Sequence, residues 1–188
     1  KNQKQFLKNK YKINSPIVII YCARFIKNRN SDLLLDTIEI MKNDQVEWII
    51  IGDGNYKPNF NQYGNVHDFG AIYDFNIKTE LFNIADFCYQ PAWTGLSINE
   101  ALAYNVPFIT LKKSKKIYQC VEYSYLIDGY NGYILSNIYE VRNTIKNINN
   151  DKLKMLKNNC YIYVNKNLKL EHMVSKFVYG VESIFKSI

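Results

Sequence analysis

The chain has 188 residues, of which 47% are hydrophobic and 22% charged, with a formal net charge of +7. That length and balance are those of one folded domain with a proper core, and the sequence shows no internal repeats of about 20–50 residues, which excludes a solenoid. A pI near 9.1 suits nucleic acid, an anionic membrane surface or a phosphorylated small molecule, but the lysines are dispersed over segments such as "KNQKQFLKNKYK" and "LKKSKK", as on an ordinary solvated surface.

The apolar run "SPIVIIYCA" follows a lysine-rich start, is short and is ended by Arg24, so it does not read as a signal peptide. No segment approaches the roughly 18 apolar residues of a membrane span. Any membrane contact is therefore expected to be peripheral, at the inner face. Cys22, Cys88, Cys120 and Cys160 lie far apart without a CxxC pair, which gives neither metal-ligand spacing nor a disulfide framework. Cys22 and Cys88 sit in apolar runs, where a free cysteine acts as a small hydrophobe, and a reducing cytoplasm is the expected home.

Short apolar runs alternate with helical patterns. Residues 16–23 read as a buried strand, and 31–42 as a helix with Leu34, Leu35, Ile38 and Met41 at helical spacing. A second strand covers 46–51 and ends in "GDGN"; a weaker third covers 65–70. A helix over 76–85 carries Leu81, Phe82 and Ala85 on one face, and a strand follows over 86–90. A helix over 96–105 and a strand over 107–111 come next. Beyond residue 112 the pattern loosens, then helical segments over 137–149, 151–166 and 170–187 finish the chain. Continuously apolar strands separated by helices predict an α/β fold, a doubly wound parallel sheet in one domain over 1–188.

In such a sheet ligands bind outside the carboxyl ends of the strands. Four post-strand loops are therefore the candidates: "ARFIKNRN" (23–30), "GDGN" (52–55), "QPAWTGLS" (90–97) and "LKKSKK" (111–116). In the first, Arg24 and Arg29 flank Lys27, and guanidinium groups at a strand end suit phosphate oxygens; ordinary surface residues are the plainer reading. Gly52-Asp53-Gly54 lacks both dinucleotide-fingerprint and P-loop spacing, and alone reads as a turn. A helix that begins near Gly95 presents free N–H groups and a positive dipole end, with no side chain in the way of a diphosphate. Glu100 sits further in, where a carboxylate accepts from the vicinal hydroxyls of a ribose; the plainer reading is a glutamate favoured by the helix dipole. Together the four loops predict one crevice for a nucleoside diphosphate sugar. The interleaved aromatic and basic residues of a single-strand binder are not concentrated anywhere, so no nucleic-acid partner is expected.

These segments resemble, in order and over nearly the whole chain, the C-terminal donor-binding domain of retaining GT-B glycosyltransferases of family four. The resemblance rests on "IVIIYCARFIKNRNSDLLLDTIEIM", "VEWIIIGDGNY", "NVHDFGAI", "TELFNIADFCYQPA", "TGLSINEALAYNVPFIT" and "VEYSYLIDGYNGYIL". It implies that Arg24 and Arg29 hold the donor diphosphate and stabilise it as it leaves in a front-face displacement. It implies that Glu100 binds the ribose, and that Phe69, Gly70 and Ile72 lie alongside the base. Gly52, Asp53 and Trp93 would line the donor site, with the backbone of Thr94, Gly95, Leu96 and Ser97 meeting the diphosphate. Asp86 would be structural. No metal or other cofactor is implied.

The resemblance also implies that an acceptor-binding domain normally precedes residue 1, so this chain is expected to be the donor half alone. The whole enzyme would transfer a hexose to a glycan or lipid-linked acceptor in surface polysaccharide assembly. One departure stands out: Ala92, eight residues before Glu100, replaces the family's first glutamate, which reaches the donor sugar. A non-catalytic nucleotide-sugar-binding module is the alternative from another functional class, and a basic nucleic-acid binder the weaker third.

Overall fold

A computed structural model describes residues 2–185. Six strands form one sheet: β1 (Ile17–Cys22), β2 (Val46–Ile51), β3 (Val66–Asp68), β4 (Phe87–Tyr89), β5 (Phe108–Leu111) and β6 (Gly132–Leu135). All neighbours pair in parallel, in the order β3-β2-β1-β4-β5-β6. β1 and β2 are paired along their full length, from Ile17 opposite Val46 to Cys22 opposite Ile51. Every residue of β2 is buried, as expected of a central strand covered on both faces.

The crossover segments include α2 (Ser31–Ile40), α3 (Phe75–Ile84), α4 (Ser97–Ala103) and α5 (Ile138–Lys146). Alternate side chains of β1 enter opposite cores, as a period of two requires. Val18, Ile20 and Cys22 join Leu81, Phe82, Ile98 and Leu102 on one face. Ile19 and Tyr21 join Leu34, Ile38, Trp48 and Tyr89 on the other. The predicted α2 face is buried at Leu34, Ile38 and Met41, while Leu35 is only partly covered.

Two elements escape the periodicity. α1 (Asn2–Lys10) is polar nearly all round; Leu7 alone enters the hydrophobic core among its described residues, while Lys4 pairs with Asp86 and Lys10 with Glu80 at 2.5 Å each. β6 is four residues at the sheet margin, mostly half-buried, with too short an apolar run to stand out. Of the predicted terminal helices, α6 (Asn150–Asn167) and α7 (Leu170–Phe185) are present; the end of the predicted 170–187 segment lies outside the described residues. Among the described residues, no helix is long and apolar enough to cross a membrane.

The edge where strands begin is closed by buried carboxylates. Asp86 is 2% exposed, accepts from the Val18 amide at 3.1 Å and lies 2.5 and 3.2 Å from the ammonium groups of Lys4 and Lys157. Burial pulls the Lys4 pKa below its ordinary value despite that carboxylate. Glu47 accepts from the amides of Asn14 and Ser15 and pairs with His67 at 2.5 Å. This order of strands reverses direction between β1 and β4, so the crevice for a ligand is expected where those two strands end.

Candidate functional site

A cleft of about 390 Å³ opens at the carboxyl ends of the strands, lined by Cys22–Arg24, Ile51–Gly54 and Ala71–Tyr73. Its walls are laced together by backbone. Ala23 donates to the Ile51 carbonyl at 3.0 Å, Phe25 to Asp53 at 2.9 Å, and Gly52 to Gly70 at 2.7 Å. This explains the two glycines of the "GDG" turn. Gly52 has φ +146°, and a Cβ there would stand 2.0 Å from the Ala23 carbonyl oxygen; at Gly54, φ +145°, it would stand 2.2 Å from that of Phe25. Any side chain would push the loops apart, so the segment is a close approach between two loops as well as a turn.

Arg24 is exposed on this wall, and among the described residues no acid pairs with it. Asp53 is exposed beside it, its carboxylate accepting from the Gly54 amide at 2.8 Å. Ile72 lines the cleft; Phe69 and Gly70 are half-buried behind it, with Phe69 edge-on to Tyr11 at 5.6 Å. Tyr73, one residue past the predicted base-side stretch, also lines the cleft and is 95% exposed.

Arg29 joins this region to the 90–97 loop. Its Nη1 donates to Oε1 of the fully buried Gln90 at 2.6 Å, and Gln90 in turn donates to the Cys22 carbonyl at 3.1 Å. Its Nη2 faces Gly95, 3.8 Å from where a Cβ would be, and its Nε is buried with no partner. A guanidinium with no acid beside it, turned toward bare backbone, has donors of the kind that suit an anion.

The 90–97 loop is itself clamped. Trp93, at φ +47°, donates its amide to the Tyr118 carbonyl at 2.9 Å. A positive φ at a bulky residue is strain that surrounding contacts must hold. Thr94 is buried, with its amide and hydroxyl both on Gln119 Oε1 at 3.4 Å; Gln119 is anchored to Thr110 and Leu111 at 2.9 Å. The Gly95 amide donates to Cys120 Sγ at 2.6 Å. Of the four expected amides, those of Leu96 and Ser97 alone have no acceptor among the described residues, and the Ser97 hydroxyl donates to the Cys22 carbonyl at 3.3 Å. Ala92 is fully buried, so a carboxylate there would enter the packed interior.

Glu100 is half-buried beside the cleft residue Cys22, whose thiol donates to Oε2 at 3.9 Å. Burial above all pushes that thiol up to about 12. Oε1 is ion-paired with Lys78 at 2.5 Å. Burial alone would lower Lys78, but its bond to Glu100 and the neighbouring charges outweigh it and hold the ammonium above its ordinary value. Neither the 90–97 loop nor Glu100 lines the cleft itself, and nor does the "LKKSKK" loop. Its lysines are exposed to one side, tied to the first loop by Asn30 donating to the Lys116 carbonyl at 3.2 Å. Lys78 and Gln119 lie outside the candidate loops, and Gln90 opens one of them without an assigned role; each makes its contact with a partner distant in the chain, which a local pattern does not reveal.

Residues 16–151 match the model of the family described as "Glycosyl transferases group 1". The chain belongs to that family. No curated protein matches it. Solved glycosyltransferases share its fold. A glycosyltransferase from Rickettsia africae is 17% identical, with TM-score 0.74, covering 100% of this chain and 53% of that one. Anabaena Alr3699/HepE, solved with UDP and glucose, is 14% identical at TM-score 0.71, covering 97% of this chain and 52% of that one. The C-terminal domain of the group 1 protein LpcC from Francisella tularensis is 16% identical at TM-score 0.67, covering 89% and 93%. The sheet is thus a Rossmann-like α/β domain of the GT-B type. This chain spans about half the length of the Rickettsia and Anabaena proteins.

Proposed function

We propose that this chain is the donor-binding part of a retaining, metal-independent glycosyltransferase that moves a hexose from a nucleoside diphosphate sugar to a glycan or lipid-linked acceptor. The observation that carries the reading is Arg29, unpaired by any acid among the described residues and facing Gly95 across the switch between β1 and β4. With Arg24 and the amides of Leu96 and Ser97 it would hold the diphosphate and stabilise the charge that grows there as the sugar leaves. Glu100 would take the ribose hydroxyls, and the Phe69–Tyr73 stretch the base. The likeness to a protein solved with UDP and glucose supports a nucleotide-sugar donor.

The acceptor side of the cleft would belong to the other half of the full-length enzyme, with surface polysaccharide assembly as the setting. A cytoplasmic location, peripheral at the inner membrane face, agrees with four free cysteines among the described residues and the positive net charge. Burial of Ala92, where the resemblance leads one to expect a glutamate, favours a second reading, a nucleotide-sugar-binding module without transfer activity. A thermal-shift panel of uridine, guanosine and adenosine diphosphates, their sugars and the bare nucleosides tests donor binding. A ligand at 100 times its dissociation constant adds about 2.7 kcal/mol by mass action. A rise with one diphosphate and little with its nucleoside is expected. Equal rises, or none, would reject the site. Sugar transfer by the full-length protein separates the enzyme from the non-catalytic module.

A further inference from the structure

We propose that Lys78 is a positioning residue for the donor's ribose, forming with Glu100 a donor–acceptor couple that reads two neighbouring hydroxyls. The inference rests on the donor-binding reading above and adds a residue to it. Lys78 Nζ lies 2.5 Å from Glu100 Oε1, and the two side chains are 25% and 32% exposed, so the pair sits at a rim, neither sealed in nor freely solvated. The other oxygen of Glu100 is steadied by Cys22, which lines the cleft.

The chemistry needs both partners. A hydroxyl donates one hydrogen bond and accepts others, while an ionised carboxylate only accepts and an ammonium only donates. Two hydroxyls that both donate to Glu100 still carry lone pairs that seek a donor. Lys78 has three N–H groups, and among the described residues Glu100 is its one ion-pair partner. It can therefore keep Glu100 in place and donate to a hydroxyl oxygen as well.

The local fold brings this couple next to the cleft. Residues Ala71–Tyr73 line the cleft, and the chain then turns into α3 at Asp74, whose carboxylate caps the helix by accepting from the amides of Asn76 and Ile77. Lys78 follows in the next turn, while α4, packed on the same face of the sheet as α3, brings Glu100 to it. A nucleoside whose base lies along 71–73 thus has its sugar directed toward Lys78 and Glu100. An ion pair that served only to tie α3 to α4 would contribute little at this exposure.

The test is calorimetry on the 188-residue chain with three probes: the nucleoside diphosphate that stabilises it most, its 2′-deoxy counterpart, and inorganic pyrophosphate. Wild type is expected to prefer the ribose form by about tenfold, the scale of a hydrogen bond to a charged group. Lys78→Met should reduce that preference to about twofold or less, with pyrophosphate affinity changed by less than about threefold; Lys78→Arg should keep most of the preference. A Lys78→Met variant that weakens all three probes equally, or leaves the preference intact, overturns the assignment while donor binding stands. A wild type that binds none of the three overturns the donor reading and this inference together.

Discussion

Where the strands begin, Asp86 and Glu47 are buried and their oxygens are met by amides, lysines and a histidine; where the strands end, neither Arg24 nor Arg29 is ion-paired among the described residues. Both arrangements put charge at the rim of the same sheet. A buried charge is tolerated only when paired and hydrogen-bonded, so the first edge is complete in itself. At the second, a guanidinium keeps a buried Nε without a partner and faces a glycine. The contrast separates charges that the fold itself satisfies from charges that it leaves open.

Substitutions at the two edges should separate stability from binding. Asp86→Ala strands Lys4 and Lys157 around one site, and loss of one member of a buried pair costs about 3 kcal/mol or more; urea unfolding should show that loss, with diphosphate affinity of the folded protein unchanged. Arg29→Ala should do the reverse. Diphosphate affinity by calorimetry should fall by about 1.5–3 kcal/mol, while stability changes by roughly 1 kcal/mol, the cost of leaving Gln90 Oε1 unmet. Arg24→Ala, on the exposed wall, should act in the same direction by less.

Glu100→Gln should keep the fold and reduce the preference for ribose over 2′,3′-dideoxyribose nucleotides by roughly 1 kcal/mol, since an amide accepts more weakly than a carboxylate. A wild type without that preference would leave Glu100 as a dipole-favoured first-turn residue. The smallest effect is one of pH. Burial would raise the Glu47 carboxyl, but the His67 bond and the amides of Asn14 and Ser15 outweigh it and hold it below its ordinary value of 4.5. A depressed folded value means stability that is present above that ordinary value and lost as the pH falls through the folded one. Glu47→Gln should therefore flatten acid unfolding curves by a few tenths of a kcal/mol, and leave binding near neutral pH alone.

The sheet was legible because buried parallel strands are written as apolar runs: "VEWIII" coincides with β2 to the residue. α1 was not, because its mostly polar sequence is docked by one buried apolar side chain, Leu7, and by contacts to Asp86 and Glu80, 70 or more positions away. At the site, residue types carried much of the reading: arginines after β1, glycines where loops meet, a glutamate in α4. Geometry supplied the rest. Gly52 and Gly54 proved to be points of backbone contact between loops, Thr94 is spent on Gln119 inside the protein, and the lysine loop lies beside the cleft instead of within it. Lys78 gave no local signal, since a lysine on a half-exposed helix becomes significant only once Glu100 is seen opposite it.

Hydrogen exchange with and without a bound nucleoside diphosphate tests the division between the two edges most directly. Ligand should slow exchange at Leu96 and Ser97, whose amides have no acceptor among the described residues, and across 22–29, 52–54 and 71–73. The segments around Glu47 and Asp86 should exchange as before. Protection confined to those segments, or to α7 at the far end of the chain, with none at Leu96 and Ser97, would contradict the account.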